Sequence, residues 1–463
     1  MSDTGNLIIV SNRVAKPKPG GRAAGGLTVG ILGALRDQGG TWFGWSGKLV
    51  DREPRDAKIS EHDNIRFATI DLKSEDYEAY YNGFSNRSLW PLFHHLLAFF
   101  SFDRADFEGY FRVNQIFARK LVPLLKPDDT IWIHDYHLIP LAGELRKAGV
   151  RNPIGFFLHV PFPGYDMLES LPNHEFLVRS MCAFDVVGFH TQRDLDSFHE
   201  AVRQPDIGGT VDSDGRIHIG GGSLFAGVFP IGIDVAEVAE LADSMYDDAE
   251  VTAMRQSLDG RDMIIGVDRL DYSKGLALRF RAYERLLENH PAHRKHLTLM
   301  QIAPPTRVGI RAYDEIRNEL EQASGQINGR FADTDWVPIR YLNKGFSRAT
   351  LMGFFRSAQI GLVTPVRDGM NLVAKEYVAS QDPDAPGMLV LSRLAGAAYE
   401  LDAAVLVNPY DIDDVADGIN RALVMPVEER RERHSDMMAV LRRNDITAWR
   451  QRFVEALHAE RKT

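Results

Sequence analysis

Short hydrophobic runs recur along the first half of the chain, and segments with apolar residues at helical spacing separate them. The runs lie at 7–10, 131–134, 154–159 and 185–189. Uninterrupted runs of this length are typical of strands that are buried on both faces of a parallel sheet. Helical spacing follows in segments such as 27–35, 138–148 and 194–202. The alternation therefore predicts βαβ units.

A second series of the same kind begins after Asp234. Its predicted strands are 263–267, 297–302, 337–342, 360–365, 388–391 and 404–407. A short, glycine-rich, β-like stretch at 208–232 closes the first series. We predict an α/β protein with two Rossmann-like doubly wound domains, 1–234 and 235–445, and a C-terminal helix, 446–463, that packs back on the first. Ligands bind at the carboxyl ends of such strands, so the site is expected in a cleft between the domains.

Composition narrows the function mainly by exclusion. The chain has 64 acidic and 54 basic residues, a formal net charge of -10, which disfavours nucleic acid as a partner. The single cysteine, Cys182, cannot form an intramolecular disulfide, and the first ten residues lack a secretory pattern. No apolar run approaches the ~18 residues that cross a bilayer. We therefore expect a cytoplasmic protein with no membrane partner.

Two cationic side chains follow the predicted strand 263–267. Arg269 and Lys274 lie in the segment VDRLDYSKG, which also contains Asp271 and precedes a predicted helix. Cations at a strand end beside a helix N-terminus suit a diphosphate. The alternative is a solvated loop with no ligand.

The segment RDGMNLVAKEYVAS follows the predicted strand 360–365. It places Asp368, Gly369 and the amides of 370–372 at the start of a helix that carries Glu376. Amides at a strand end suit an anion or sugar hydroxyls, and a carboxylate at Glu376 suits a ribose diol. Asp368 has a purely structural alternative as the helix N-cap.

Asp135 and His159 end two predicted strands of the first half. Because both follow apolar runs, we expect them at the same edge of the sheet, where they can exchange hydrogen bonds with sugar hydroxyls. The neighbouring His134 and His137 are better explained as structural residues.

Gly25 and Gly26 precede a predicted helix, where bare amides can approach an oxyanion. They form neither a dinucleotide fingerprint nor a Walker loop, so dehydrogenase and P-loop kinase functions lose support.

Long motifs occur along the chain in the order found in trehalose-6-phosphate synthases: SNR, AGGL, YYNGFSNRSLWP, WIHDYHL, FFLHVPFP, RLDYSKG, QIAPPTR and PVRDGMNLVAKEYV. The chain resembles this family over nearly its whole length. The resemblance implies a GT-B type fold and transfer of glucose from UDP-glucose to glucose 6-phosphate with retention, giving α,α-trehalose 6-phosphate and UDP. It also implies that no metal or other cofactor takes part. We expect a homo-oligomer, a dimer or tetramer.

The resemblance also implies roles for individual residues of this chain. The catalytic group would be Asp135, His159, Arg269 and Lys274. The acceptor site would contain Arg13, Tyr81, Trp90, Asp135 and Arg307. The donor site would contain Gly25, Gly26, His159, Arg269, Lys274, Phe346, Asp368, Gly369, Met370, Asn371, Leu372, Val373, Ala374, Lys375 and Glu376.

Three other functions stay open at this point. One is a glucosylglycerol-phosphate synthase or a pseudo-glycosyltransferase of the same fold. The second is a non-catalytic sugar-phosphate sensor, which would be expected to have lost the diphosphate-binding residues. The third is a hydrolase that uses Asp135 and Asp368 as its carboxylate pair.

Four cations next to strand ends in an acidic chain favour two bound phosphate groups. They therefore favour an anionic acceptor beside a nucleotide donor. The cations are Arg13, Arg269, Lys274 and Arg307.

Overall fold

A computed structural model describes residues 5–16, 26–53, 55–307 and 310–460. The chain divides into two compact units, one made of Met1–Pro230 with Thr447–Thr463 and the other of Ile231–Ile446. The chain leaves the first unit at Pro230, slightly before the predicted boundary at Asp234, and returns to it at Thr447.

The first unit contains a ten-stranded sheet with the order β3-β4-β2-β1-β5-β6-β7-β10-β9-β8. The seven strands from β4 to β10 in this order are mutually parallel, and β3, β9 and β8 are antiparallel additions at the edges. The strands are β1 Leu7–Arg13, β2 Gly40–Val50, β3 Lys58–His62, β4 Ile65–Lys73, β5 Thr130–His134, β6 Ile154–Phe157, β7 Val186–Phe189, β8 Thr210–Val211, β9 Arg216–Ile219 and β10 Gly222–Val228.

In the part of this unit that the structure describes, eight α-helices and one π-helix connect these strands. The π-helix, Glu78–Leu89, is continuous with α3. The α-helices are α1 Gly26–Gln38, α2 Ser74–Tyr77, α3 Trp90–Phe93, α4 Arg104–Leu121, α5 Leu141–Lys147, α6 Tyr165–Leu168, α7 His174–Met181 and α8 Gln192–Val202. The strand order reverses between β1 and β5, and ligands of doubly wound sheets bind at such a switch point.

The second unit contains a fully parallel six-stranded sheet with the order β13-β12-β11-β14-β15-β16. This is the Rossmann order, and its switch point lies between β11 and β14. The strands are β11 Asp262–Val267, β12 Leu297–Ile302, β13 Ile339–Leu342, β14 Ile360–Val363, β15 Met388–Ser392 and β16 Val405–Val407. The helices are α9 Val235–Met245, α10 Ala249–Ser257, α11 Leu276–Asn289, α12 Arg311–Phe331, α13 Arg348–Arg356, α14 Leu372–Ala379, α15 Ile412–Leu423 and α16 Val427–Arg443.

The last helix, α17 Ile446–Glu460, packs against the sheet of the first unit. The Phe453 ring stacks on Trp132 of β5 with centroids 4.6 Å apart. A Cβ added at Gly155 or Gly188 would come within 2.7 or 2.8 Å of Phe453, so the two glycines allow the helix to approach β6 and β7 closely.

Within the residues that the structure describes, no helix combines the length and the apolar character that a membrane span requires.

Candidate active site

Arg13 ends β1 at the switch point of the first unit. Its guanidinium lies over the Trp45 ring, 5.7 Å from the centroid. At Gly47, which has a φ of 87°, a Cβ would come within 2.9 Å of Arg13 Nη2. The absence of a side chain at Gly47 therefore leaves room for the guanidinium, which is available for an anion at the strand end.

A line of aromatic rings extends from this arginine. Tyr77 lies 5.0 Å from Trp45, Tyr81 stacks on Tyr77 at 5.2 Å, and His137 stacks on Tyr81 at 5.6 Å. Tyr81 is carried by the π-helix, a rare conformation that is frequent at functional sites. The Asn86 side chain holds this turn, because its Nδ2 donates to the Tyr81 carbonyl at 2.8 Å.

Asp135 follows β5 in a strained conformation, with a φ of 77° and a ψ of 161°. Such a conformation costs about 1–3 kcal/mol in a residue other than glycine. Its backbone N–H donates to the Phe157 carbonyl at 2.8 Å, and its Oδ1 accepts the His159 N–H at 3.3 Å. These bonds fix the carboxylate between the ends of β5 and β6.

Arg13 and Asp135 line one cavity of about 180 Å³ at this switch point. The structure thus brings these two predicted acceptor residues to the same cavity. Trp90, in contrast, is buried with its ring 4.0 Å from His94 and 5.9 Å from Tyr136. The complete lining among the described residues is Ser11, Asn12, Arg13, Thr28, Ile31, Trp42, His134, Asp135 and His137.

His159 forms a hydrogen-bonded pair with His134 in the first unit. His134 Nδ1 lies 3.0 Å from His159 Nε2. Burial lowers the pKa of His159 to about 3, and burial together with His159 lowers the pKa of His134 well below its usual value. Both imidazoles are therefore neutral near pH 7. His134 and His137, which the sequence favours as structural residues, both line the cavity, and His134 also bonds His159.

The glycines before α1 are described only in part. Gly25 lies outside the described residues, and Gly26 is the first residue of α1. The Gly26 amide therefore stands at a helix N-terminus, as the sequence predicts.

In the second unit, the loop after β11 is built around Asp271. This carboxylate is fully buried, and it accepts hydrogen bonds from the Ser273 amide at 3.0 Å and hydroxyl at 2.9 Å. Its Oδ2 lies 3.3 Å from Arg307 Nη1 and 3.7 Å from Arg269 Nη2. Burial opposes ionisation, but Arg307, Arg269 and Lys274 outweigh it and lower the pKa of Asp271 to about 2.

The two arginines differ in exposure. The Arg307 side chain is 3% exposed and also bonds the Tyr313 hydroxyl, whereas the Arg269 side chain is 46% exposed. Arg307 follows β12 with a φ of 48°, and its side chain reaches the loop that carries Asp271. The sequence predicted these residues for two different substrates, and the structure joins them through one carboxylate.

Lys274 links the two sides of the switch point. Its Nζ lies 2.5 Å from Asp368 Oδ2, and Asn371 Nδ2 donates to the same oxygen at 2.9 Å. The N-cap of α14 is Asn371, whose Oδ1 accepts from the Ala374 amide at 3.3 Å. The structural alternative for Asp368 is therefore wrong, because Asn371 fills the cap position.

The turn after β15 donates two backbone hydrogen bonds to the loop 368–371. The Gly396 amide donates to the Asp368 carbonyl at 3.1 Å, and the Ala397 amide donates to the Met370 carbonyl at 2.7 Å. A Cβ at Gly396 would meet the Gly369 carbonyl oxygen at 1.9 Å. Only glycine allows this approach, which supports the turn that leads to the amides of Leu372 and Val373 at the start of α14.

Glu376 on α14 is paired with a residue that the sequence analysis missed. Arg348 Nε donates to Glu376 at 3.2 Å, and its Nη1 lies 2.6 Å from Glu237. Burial raises the pKa of Glu376, although Arg348 opposes this.

Two other predicted donor residues have partners of their own. Lys375 has a fully buried ammonium, which lies 2.5 Å from Glu400 and donates to the Ile231 carbonyl at 2.7 Å. The Lys375 side chain is thus buried and paired within the core, so only its backbone can contact a ligand. Phe346 packs edge-on against Phe354 at 5.2 Å, and Lys344 lies over its ring at 4.7 Å.

A buried network beneath the β11 loop also escaped sequence analysis. Arg279 is fully buried and lies 2.6 Å from Asp268, and it also donates to Gln301 and Thr364 at 2.8 and 3.0 Å. The partners of Arg279 lie at the ends of three different strands, so no local spacing in the sequence could have shown this network. The network holds the loop from β11 against β12 and β14.

Both units thus carry polar and cationic side chains at the switch point of a parallel sheet. Such an architecture with anion-binding strand ends is typical of proteins that bind nucleotides or sugar phosphates.

Comparison with known proteins defines the family. The model of glycosyltransferase family 20 matches residues 10–459. A trehalose-6-phosphate synthase of Klebsiella pneumoniae is 50% identical over 455 residues, which are 97% of this chain and 94% of the relative. The chain belongs to glycosyltransferase family 20, and the predicted α/β class with two Rossmann-like domains of GT-B type is confirmed.

Solved structures agree with this assignment. The chain is similar to an α,α-trehalose-phosphate synthase (UDP-forming) from Burkholderia vietnamiensis, with a TM-score of 0.97, 49% identity and coverage of 99% of this chain and 98% of that one. It is also similar to such a synthase from Burkholderia xenovorans in complex with glucose-6-phosphate, with a TM-score of 0.95, 53% identity and coverage of 98% and 100%.

Proposed function

We propose that this chain transfers glucose from UDP-glucose to glucose 6-phosphate and so forms α,α-trehalose 6-phosphate and UDP. The carrying observation is the cluster of Arg269, Lys274 and Arg307 around the buried carboxylate Asp271 and the partly exposed carboxylate Asp368. These three cations lie at one switch point although the chain as a whole is acidic. Such a site suits an anionic substrate. The full-length relatives named for this reaction support the same function.

The site residues divide between the two substrates. Arg269 and Lys274, with the amides at the start of α14, would hold the donor diphosphate, and Glu376 would accept from the ribose hydroxyls. Arg13 and Arg307 would bind the acceptor phosphate through bidentate hydrogen bonds. His159, Asp135 and Asp368 would orient sugar hydroxyls. These assignments combine the family resemblance with the hydrogen bonds and ion pairs described above.

The test is a matrix of substrates. UDP-, ADP- and GDP-glucose are each incubated with glucose 6-phosphate or glycerol 3-phosphate, and products are identified by NMR and mass spectrometry. We expect trehalose 6-phosphate with UDP-glucose and glucose 6-phosphate. A product only with glycerol 3-phosphate would favour a glucosylglycerol-phosphate synthase. Binding without any product would favour a sensor, and release of free glucose without an acceptor would favour a hydrolase.

Two features of the reaction are part of the proposal. The transfer proceeds without a metal, because Arg269 and Lys274 can neutralise the departing diphosphate. Among the described residues, one group of three possible metal ligands occurs, His174, Glu175 and Asp206, and none of them is a predicted site residue. The transfer also retains the α-configuration of the donor glucose.

Two properties of the whole protein are also part of the proposal. The single cysteine fits a reducing cytoplasm, where fractionation would find the chain. The family resemblance supports a homo-oligomer of two or four subunits. Light scattering on the purified protein measures its mass directly.

A further inference from the structure

Arg348 is the first residue of α13 and reaches two carboxylates of its own unit. Its Nε donates to Glu376 Oε1 at 3.2 Å, and its Nη1 lies 2.6 Å from Glu237 Oε2. The Ser347 hydroxyl caps the helix by accepting from the Thr350 amide at 3.0 Å. Because a cation is unfavourable at a helix N-terminus, the helix dipole does not favour an arginine at this position. The two ion pairs offset that cost.

The hydrogen bond from Arg348 uses only one oxygen of Glu376. Oε1 accepts from the guanidinium, whereas Oε2 accepts from no group in the part of the chain that the structure describes. Oε2 is not enclosed, and the Glu376 side chain as a whole is 14% exposed. An ionised carboxylate can accept about four hydrogen bonds. Glu376 therefore keeps an accessible oxygen for the hydroxyls of a ligand.

The guanidinium also affects the charge of this carboxyl group. Burial raises the pKa of Glu376, Arg348 lowers it, and the charge of Glu237 raises it. Without Arg348, only the influences that favour the protonated form would remain. A protonated carboxyl group accepts hydrogen bonds more weakly than a carboxylate does. Arg348 thus favours the form of Glu376 that accepts from hydroxyl groups.

We propose that Arg348 is a positioning residue for recognition of the nucleotide ribose: it binds Oε1 of Glu376 and leaves Oε2 free to accept from the ribose hydroxyls. Glu237 holds the other side of the guanidinium. Arg348 acts through Glu376 and does not itself contact the substrate. The proposal rests on the proposed function in one respect, namely that Glu376 binds the ribose of the donor.

Calorimetric titration of the full chain with UDP and with 2′,3′-dideoxy-UDP tests this role. The second nucleotide lacks both ribose hydroxyls and keeps the base and the diphosphate. Arg348→Met should weaken UDP binding by about tenfold or more, but should change the affinity for dideoxy-UDP by less than about twofold. Equal losses for the two nucleotides, or an unchanged affinity for UDP, would overturn the proposal.

Arg348→Lys keeps the positive charge and should recover part of the UDP affinity. Lysine cannot bond both carboxylates with the planar geometry of a guanidinium, so a loss of about threefold that is confined to UDP should remain. If Arg348→Met does not fold, this variant decides the question by the same comparison. A loss that Arg348→Lys shows equally for dideoxy-UDP would overturn the proposal.

The matched control is Arg356→Met on the same helix. Arg356 ends α13, and its guanidinium lies 3.2 Å from the exposed Asp243 instead of the donor site. This variant should leave the affinities for both nucleotides unchanged. A double-mutant cycle then tests whether Arg348 acts through Glu376. Glu376→Gln should weaken UDP binding, and adding Arg348→Met should weaken it by less than about twofold further. A full additional loss would overturn the proposal.

The outcomes also distinguish this proposal from the proposed function. Ribose is common to UDP, ADP and GDP, so a wild type that prefers another base is tested with that nucleotide and its dideoxy form. If the ribose dependence is as stated but no glucosyl product forms, the proposed function fails and the role of Arg348 stands. If product forms but the wild type binds UDP and dideoxy-UDP equally, the role of Arg348 fails. A wild type that binds none of the nucleotides would overturn both.

Discussion

At the scale of single residues, Asp271 joins two arginines of the second unit. Its buried carboxylate is shared by a nearly inaccessible arginine, Arg307, and a half-exposed one, Arg269. Because Arg307 donates to the same oxygen with which Arg269 forms an ion pair, a change at either arginine alters the surroundings of the other. The acceptor and donor functions predicted for them are therefore electrostatically coupled within one unit.

Arg307→Ala should weaken glucose 6-phosphate far more than UDP-glucose, because it removes a bidentate phosphate contact. It should also destabilise the fold by about 3–5 kcal/mol, since a buried carboxylate loses a partner. Steady-state kinetics with each substrate varied and urea unfolding measure the two effects. Arg307→Lys keeps the charge and should recover most of the stability but not the KM.

The matched control for this variant is Arg311→Ala. Arg311 lies four residues further along, is 91% exposed and pairs only on the surface with Glu315. Its loss should change neither KM nor stability measurably. Equal losses for both substrates in Arg307→Ala would assign this arginine to the donor.

The buried histidines predict how stability depends on pH. In the folded chain the pKa of His159 is about 3, against an ordinary value of 6.5, so between these values the unfolded chain binds more protons. Unfolding then takes up protons, and the free energy of unfolding falls as pH falls below about 6.5. The free energy of unfolding changes by up to about 1.4 kcal/mol per pH unit for each such ring. The full contribution of His159 to this free energy is present above its ordinary pKa of 6.5, the value in the unfolded chain.

Urea unfolding at pH 7.5, 6.5 and 5.5 measures this dependence. His159→Asn removes one titrating ring and should flatten the profile between pH 6.5 and 5.5 relative to the wild type. The exposed His62 serves as a control, because His62→Asn should leave the profile unchanged. A profile that His159→Asn does not alter would contradict a neutral buried His159.

At the scale of elements, the start of α14 depends on one residue in an unusual conformation. Asn371 has a φ of 78°, caps Ala374 and also bonds Asp368, the partner of Lys274. Asparagine tolerates this left-handed region better than most residues, and its side chain fits both bonds. The cap thus couples helix stability to the position of a predicted donor residue.

Asn371→Ala should cost about 2 kcal/mol, about half from the lost cap and half from the left-handed conformation. Asn371→Gly keeps the backbone conformation and should cost less. Both variants should weaken UDP binding, because each releases Asp368. Thermal unfolding and calorimetric titration with UDP separate the effects. If the two variants were equally stable, the left-handed conformation at position 371 would contribute nothing to the cost of Asn371→Ala.

The sequence predicted elements well where they are buried on both faces. The prediction for 297–302 coincides with β12, and the predictions for β5, β7, β11 and β15 differ by single residues at their ends. These central strands have continuous apolar runs, which is the clearest signal of a buried strand.

Three strands and the π-helix were missed. β2, β3 and β4 mix aromatic, glycine and charged residues, and the burial of β2 and β3 falls toward the sheet edge. Their pattern is therefore weak. The π-helix has no sequence signature of its own, because bonds such as that from Asn86 to the Tyr81 carbonyl form only in the fold.

The site was predicted one residue at a time and not as pairs. Arg13, Asp135, Arg269, Lys274 and Asp368 follow strands and were found by that position. The pairing of Arg307 with Asp271 joins residues from two strand ends, and the capping role of Asn371 requires a positive φ. Neither feature is visible in spacing alone.

At the scale of the whole molecule, charge placement bears on the need for a metal. The chain is acidic, yet cations occupy the switch point of each unit, Arg13 in the first and the Asp271 cluster in the second. Fixed positive groups of this kind can replace a divalent ion as counter-charge to a diphosphate. These cations thus lie where phosphate groups are proposed to bind.

Transfer should therefore persist in EDTA. We expect the initial rate with UDP-glucose and glucose 6-phosphate to change by less than about twofold after dialysis against chelator, since the arginine and lysine groups remain. Metal analysis of the dialysed protein accompanies the assay. Loss of activity that magnesium restores would contradict the prediction.

The last prediction concerns the route of transfer. A double displacement needs a carboxylate that is able to attack the anomeric carbon. Asp135 instead accepts the His159 N–H, and Asp368 is bonded to Lys274 and Asn371. We therefore expect retention without a glucosyl-enzyme, with the departing phosphate oxygen taking the acceptor proton. Negative charge then gathers on the diphosphate, so Lys274 should stabilise the transition state more than the bound donor.

Lys274→Ala should accordingly lower kcat by a factor on the order of 100 or more, with a smaller effect on UDP-glucose binding, and Lys274→Arg should recover part of the rate. His159→Ala should slow transfer without trapping an intermediate. NMR of the product anomer and mass spectrometry of quenched enzyme test the route directly. A β-linked product would mean that the acceptor attacks from the opposite face, and a stable glucosyl adduct on Asp135 or Asp368 would mean a double displacement, so either result would rule out front-face transfer.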